Sequence, residues 1–170
     1  MSDWTVTDRP IKTPYGVIHY GNGCRDDYPN MVTVDMLPEE GGNLLITLQR
    51  PAMKALLAAQ VRYAKRMGWS KQRIEKRTVK IGAKKYPIGR PIVMLPGTNR
   101  TCEIQTKLYN SDHNRYAAPQ ITGHTRGLAV DRSNAQPNLS IVDACLAAEG
   151  WTRVRPTDEP WHWSAPGVTI

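Results

Sequence analysis

No phenylalanine occurs in the 170 residues, so tryptophan, tyrosine, leucine, valine and methionine have to fill the interior. A run of about 18 apolar residues is also lacking, which excludes a helix that crosses a bilayer. The N-terminal MSDWTVTDRPIKTPYG is polar where a secretory leader carries an apolar stretch and a small-residue cleavage site. The expectation is a protein made in the cytoplasm without a signal peptide. Cysteine is scarce, with three residues at 24, 102 and 145 and no CxxC spacing. At most one disulfide can close, and the simplest reading makes them small core residues in a reducing cytoplasm. Acidic residues are in deficit, 15 Asp and Glu against 23 Lys and Arg, for a net charge of +8. Such an excess points to an anionic partner, whether nucleic acid, membrane surface or cell-wall polymer, without choosing among them.

What is present reads as a single domain of ordinary globular composition, residues 1–170. Residues 1–45 are rich in turn formers and are expected to be an irregular N-terminal extension. Within them, 15-YGVIHYGNG-23 reads as a short strand running into a turn. Over 48–68, Met53, Leu56, Leu57, Val61, Ala64 and Met67 recur near a 3-4 spacing, with Pro51 early and Gly68 at the end. That is an amphipathic helix. Residues 70–90 hold eight Lys or Arg against one Glu and read as a basic hairpin or loop inserted between core elements. A solvated face is the plain reading; contact with an anionic polymer is the sharper one.

Further along, 91-PIVML-95 reads as a buried strand and 100–110 as a short helix. The stretch 128-LAVD-131 reads as a strand, and 139–150 as a helix capped by Asn138 or Ser140 and stopped by Gly150. The segments 151-WTRVR-155 and 161-WHW-163 alternate as strands do. With helices placed early and strands late, α+β is preferred over a regular βαβ array.

The chain has four histidines, and one stands in 122-TGHTRGLAVD-131, seven residues before an aspartate. On a straight helix His124 and Asp131 would lie about 10 Å apart along the axis. On a straight strand they would lie about 23 Å apart, on opposite faces. Sharing a metal ion therefore requires the chain to turn back, and Gly123 and Gly127 flank the place where it can. Near the C-terminus, Pro160 disfavours helix at Glu159, so 159-EPWH-162 is extended or turned. There Glu159 and His162 can stand on one rim, one near a metal and the other near a water that attacks a carbonyl. The alternative makes Trp161 and Trp163 core anchors and Glu159 a surface charge.

Together, 122-T-x-H-x-x-G-x-A-x-D-131 and 159-E-P-W-H-162 resemble the zinc DD-carboxypeptidase and endopeptidase family of VanY-type D-Ala-D-Ala carboxypeptidases and phage L-Ala-D-Glu endolysins. The resemblance covers roughly residues 48–163. It implies zinc as cofactor, with His124, Asp131 and His162 as ligands and Glu159 as general base and acid. It also implies a Hedgehog/DD-peptidase-like fold, a small antiparallel sheet with flanking helices around the zinc site. Arg100 and Gln105 match the family's upstream Arg and Gln, which implies that Arg100 holds a substrate carboxylate or polarises the scissile carbonyl. Thr122 falls on the family's Ser/Thr position at the groove. Gly97-Thr98-Asn99 and Pro119-Gln120 depart from the pattern in loops that shape that groove.

The expected function is a zinc-dependent peptidoglycan peptidase, an endolysin cutting stem peptides between L-Ala and D-Glu and acting on the wall after release at lysis. A D-Ala-D-Ala carboxypeptidase is the alternative within the class. Outside it stand a non-catalytic zinc domain that binds the wall, and a nuclease supported only by charge and a faint likeness of 112-DHN-114 to a His-Asn metal motif. His113 and His19 are expected in a loop and in a strand or turn. The expected partners are stem peptides and, through residues 70–90, an anionic wall polymer. Nucleic acid is not expected as a partner, and the chain is expected to be a monomer.

Overall fold

The computed structural model describes residues 7–22, 30–37, 44–95, 98–116 and 123–168. Thr7–Thr13 (β1) folds back onto Gly16–Asn22 (β2) through a turn at Pro14 and Tyr15, where Thr13 Oγ1 donates to the Gly16 carbonyl at 2.7 Å. Met31–Asp35 (β3) pairs antiparallel with Leu45–Gln49 (β4), and alternation in β4 turns Ile46 and Leu48 into the core. The first 45 residues are thus not an irregular extension, because three strands lie among their described part. Among the described residues, Pro14 and Gly16 mark a hairpin turn rather than loss of structure.

Helix α1, Arg50–Arg66, follows β4 without a loop because Pro51 stands in its first turn, where a missing N–H costs nothing. Ala52, Met53, Ala55, Leu56, Leu57 and Ala59 are buried along it, and truncating Leu56 to alanine would cost roughly 2–5 kcal/mol. The short helix α2, Lys71–Glu75, is capped by the Ser70 side chain, which accepts from the Arg73 N–H. Thr78–Ile81 (β5) and Lys84–Pro87 (β6) then form the basic hairpin expected from composition.

Gln60, buried in the middle of α1, ties the following segment to the helix. Its Nε2 donates to the Ile88 carbonyl at 2.9 Å, and its Oε1 accepts from the Ile92 N–H at 3.0 Å. Gly89 crosses the helix so closely that a Cβ there would stand 2.6 Å from the Gln60 backbone. The stretch 91–95 is held by these contacts and by one bridge, Met94 to Arg132, so it is an extended edge rather than the strand expected. Helix α3 is Cys102–Ser111, capped by Thr101, whose side chain accepts from the Ile104 N–H. His113 lies in the turn beyond it, stacked on Tyr109, and His19 lies in β2.

Ala129–Asp131 (β7) pairs antiparallel with His162–Ser164 (β8), and Leu139–Ala148 (α4) lies between them in sequence and packs on α1. Neither Asn138 nor Ser140 caps α4 with its side chain; Asn138 takes a left-handed conformation with φ 61° instead. Of 151–155, only Thr152 bridges to β8, at Ser164, and the rest bends. Met94, β7, β8 and Thr152 therefore lie side by side as a narrow antiparallel array beneath the site. The fold is α+β as expected, but with pairings in two-stranded ribbons and with strands preceding the first helix. No helix of the described residues is long and apolar enough to cross a membrane.

The cysteines depart from expectation. Cys145 is buried and free, but Cys102, half-buried at the first position of α3, is disulfide-bonded.

Candidate metal centre

Strand pairing brings the two motifs together. Asp131 and His162 are direct partners in the β7–β8 register. His124 reaches them because the chain after Gly123 winds into a single 3-10 turn, His124–Arg126, and reverses at Gly127, whose φ is 66°. The turn sits tightly: a Cβ on Gly127 would come within 2.9 Å of the Gln49 nitrogen and closer still to the Met31 side chain. Gln49 fixes it from below. Its Nε2 donates to the Arg126 and His19 carbonyls at 2.9 and 2.7 Å, and its own N–H donates to the Gly127 carbonyl at 3.0 Å.

Both imidazoles converge on one carboxylate oxygen. His124 Nε2 lies 3.1 Å and His162 Nδ1 3.0 Å from Asp131 Oδ1, with the rings edge to face, 5.0 Å between centroids. The three donor atoms fall within 4.8 Å of one another. Ligands about 2.0–2.1 Å from a tetrahedral zinc stand roughly 3.3 Å apart, so the spacing fits a common centre.

The hydrogen-bond chemistry makes the same point. His124 Nδ1 lies 2.9 Å from the Thr98 carbonyl, which can only accept, so that nitrogen carries the proton. His124 Nε2 then faces the anionic Asp131 oxygen, an arrangement that either a proton or a metal ion shared by the two would stabilise. Burial pushes the His124 imidazole below its ordinary 6.5 despite the nearby Asp131, so a proton is poorly favoured in that position. Burial alone would raise the Asp131 carboxyl, but hydrogen bonds from His124 and His162 outweigh it and hold it well below the usual carboxylate range. Two imidazoles and one carboxylate form a donor set suited to zinc with a coordination position left open.

Thr98 is the supporting residue that sequence reasoning missed. Besides its carbonyl on His124, its hydroxyl donates to the Asp131 carbonyl and accepts from the Asp131 N–H, both at 3.1 Å. No signal short of the fold could find it, because it stands in the loop read as a departure from the family pattern. Arg100 approaches the other carboxylate oxygen, with Nη2 3.5 Å from Asp131 Oδ2, while its Nη1 donates to the buried Gln105 at 3.1 Å. Gln105 thus buttresses Arg100, and Arg100 orients the aspartate.

A cleft of about 750 Å³ opens over these groups. Glu159 lines it, and its carboxylate has no hydrogen bond or ion pair among the described residues. The backbone places it: the Glu159 N–H donates to the Arg155 carbonyl and the His162 N–H donates to the Glu159 carbonyl, so a tight turn delivers both side chains to one rim. Arg115, Tyr116 and Arg155 also line the cleft, and the motif did not point to them. Thr122, expected at the groove, lies outside the described residues.

No family model matches this chain, and no curated protein does. Among solved structures it is similar to DacB from Streptococcus pneumoniae D39, at 17% identity and a TM-score of 0.45, covering 95% of this chain and 85% of that one. It is also similar to the LdcB LD-carboxypeptidase, whose structure concerns peptidoglycan recognition, at 19% identity and a TM-score of 0.43, covering 98% and 86%. Likenesses this distant leave the function to be argued from the site itself.

Proposed function

We propose that the chain is a zinc-dependent peptidase acting on peptidoglycan stem peptides. The observation that carries the reading is the convergence of His124, Asp131 and His162, with an uncommitted Glu159 carboxylate in the same cleft. A structural zinc site closes its coordination with a fourth protein ligand and has no use for a free carboxylate, so this pairing favours catalysis over a binding domain.

His124 Nε2, Asp131 Oδ1 and His162 Nδ1 are the atoms that would hold the ion. When bound, zinc supplies Lewis acidity toward a carbonyl and stabilises the negative charge that develops there. Glu159 takes the proton of the attacking water and returns it to the departing amine, a transfer worth about 10²–10⁴ in rate. Arg100 is a positioning residue, holding the Asp131 carboxylate so that Oδ1 faces the imidazoles.

Both terminal nitrogens of Arg100 already donate within the protein. Arg115 and Arg155 line the same cleft and leave a terminal carboxylate a cation to meet, so the preferred endopeptidase and the alternative carboxypeptidase are separated by which bond is cut. The bond between L-Ala and D-Glu is the one assigned, in an endolysin that meets the wall at lysis. The disulfide at Cys102 suits an enzyme that works outside the reducing interior.

Mass spectrometry of muropeptides after digestion of purified sacculi tests this directly. New termini at alanine and glutamate support the assignment. Loss of terminal D-alanine alone supports the carboxypeptidase, and intact muropeptides in the presence of zinc refute both.

A further inference from the structure

The face of α1 turned away from the core carries Lys54, Ala58, Val61, Arg62 and Lys65 at a helical spacing, and it lies open. It floors a groove of about 430 Å³ walled by Tyr15, Tyr86 and Pro87, which continues into a second of about 380 Å³ beside Trp69 and Ile74. Lys65 lines both, as well as a third hollow against α4. No residue of these hollows lines the metal cleft.

Charge along the groove is unbalanced. Its two carboxylates are taken up, Glu149 by Arg62 and the Tyr15 hydroxyl, and Glu75 by Lys71. Among the described residues, Lys54 and Lys65 in the groove, Arg66 in the third hollow and Lys84 beside the Tyr86 ring have no carboxylate within ion-pair distance. Aromatic rings hold the cations in place: Lys54 and Lys84 lie 5.7 and 5.4 Å from the Tyr86 ring centre, and the Arg73 guanidinium 3.8 Å from that of Trp69.

We infer that this groove binds a phosphodiester-linked polyol polymer of the bacterial wall and holds the enzyme on its insoluble substrate. Lysine ammonium groups act as point charges toward phosphates along a flexible chain, without the bidentate geometry that a guanidinium fork imposes. Single-stranded nucleic acid fits less well, because base stacking needs bare aromatic faces, and both Tyr86 and Trp69 are capped by cations. The basic hairpin contributes Tyr86, with Lys84 beside its ring, but most of the site belongs to the open face of the amphipathic helix α1. The choice of a wall polymer rests on the peptidase reading, while the groove's preference for a polyphosphate does not.

The test compares the full chain with a Lys54→Gln/Lys65→Gln/Lys84→Gln variant for co-sedimentation with sacculi that retain their polyol-phosphate polymer or have been stripped of it by acid. The wild type is expected to sediment only with the unstripped sacculi. Its affinity should fall roughly tenfold or more between 50 and 200 mM salt, and the variant should lose most of that dependence. Cleavage of soluble muropeptides should be the same for both proteins. Equal binding of the variant, or equal binding to stripped sacculi, overturns the inference, as does tighter binding to single-stranded DNA than to the wall polymer. Retention on unstripped sacculi without any cleavage leaves the groove standing and removes the peptidase reading.

Discussion

His162 and Asp131 face each other across the β7–β8 pair, with Nδ1 of the one 3.0 Å from Oδ1 of the other. Two residues distant in the chain are thus set by backbone register, and only His124 has to be delivered by a turn. Asp131→Asn should therefore remove zinc without unfolding the sheet, since the amide fills the same space but supplies a poorer ligand. Metal analysis beside circular dichroism checks this: the expected outcome is little zinc and an unchanged spectrum.

Glu159 stands apart from the ligands in role. Glu159→Ala should keep about one zinc per chain and lower the cleavage rate by about 10²–10⁴. Normal turnover by that variant would reassign the base.

Gly127 turns the ligand loop with a positive φ and almost no room for a side chain. Gly127→Ala should cost more than about 1 kcal/mol from the left-handed backbone alone and lower zinc affinity as His124 is displaced. Denaturant unfolding and a zinc competition titration read the two effects separately.

Gln49 holds the same turn from the other side through its amide. Gln49→Leu leaves the Arg126 and His19 carbonyls without that donor, and a loss of about 1–3 kcal/mol is expected in chemical denaturation.

The metal-free protein should weaken as the pH falls. His124 is held below its ordinary 6.5 in the folded state, so the unfolded chain takes the proton first and stability drops as the pH passes down through 6.5. Asp131 is held low, so its contribution, complete above its ordinary 3.8, is lost on further acidification. Thermal melts in chelator should show a falling midpoint from neutrality into acid, and His124→Gln should flatten the first part of that fall.

The convergence of His124, Asp131 and His162 was legible because metal coordination demands particular side chains, and the two motifs preserve both their identity and spacing. Helix α1 was legible from its apolar period and Pro51, and the β5–β6 hairpin from its glycines and charge. Thr98 was not, since it supports His124 through a backbone carbonyl that any residue owns. Gln49 and Gln60 were also hidden, because a polar side chain that satisfies distant backbone groups leaves no local pattern. The N-terminal hairpins were read as irregular since proline and glycine mark turns and loops alike. The bond at Cys102 was missed because composition weighs cysteines by number and spacing, not by where the fold sets them.

Zinc content of the reconstituted protein, measured beside His124→Ala, Asp131→Ala and His162→Ala, tests the central claim most directly. The account predicts about one zinc per wild-type chain and a loss in each variant while the fold is retained. A wild type that takes up no zinc, or variants that keep it fully, would contradict it.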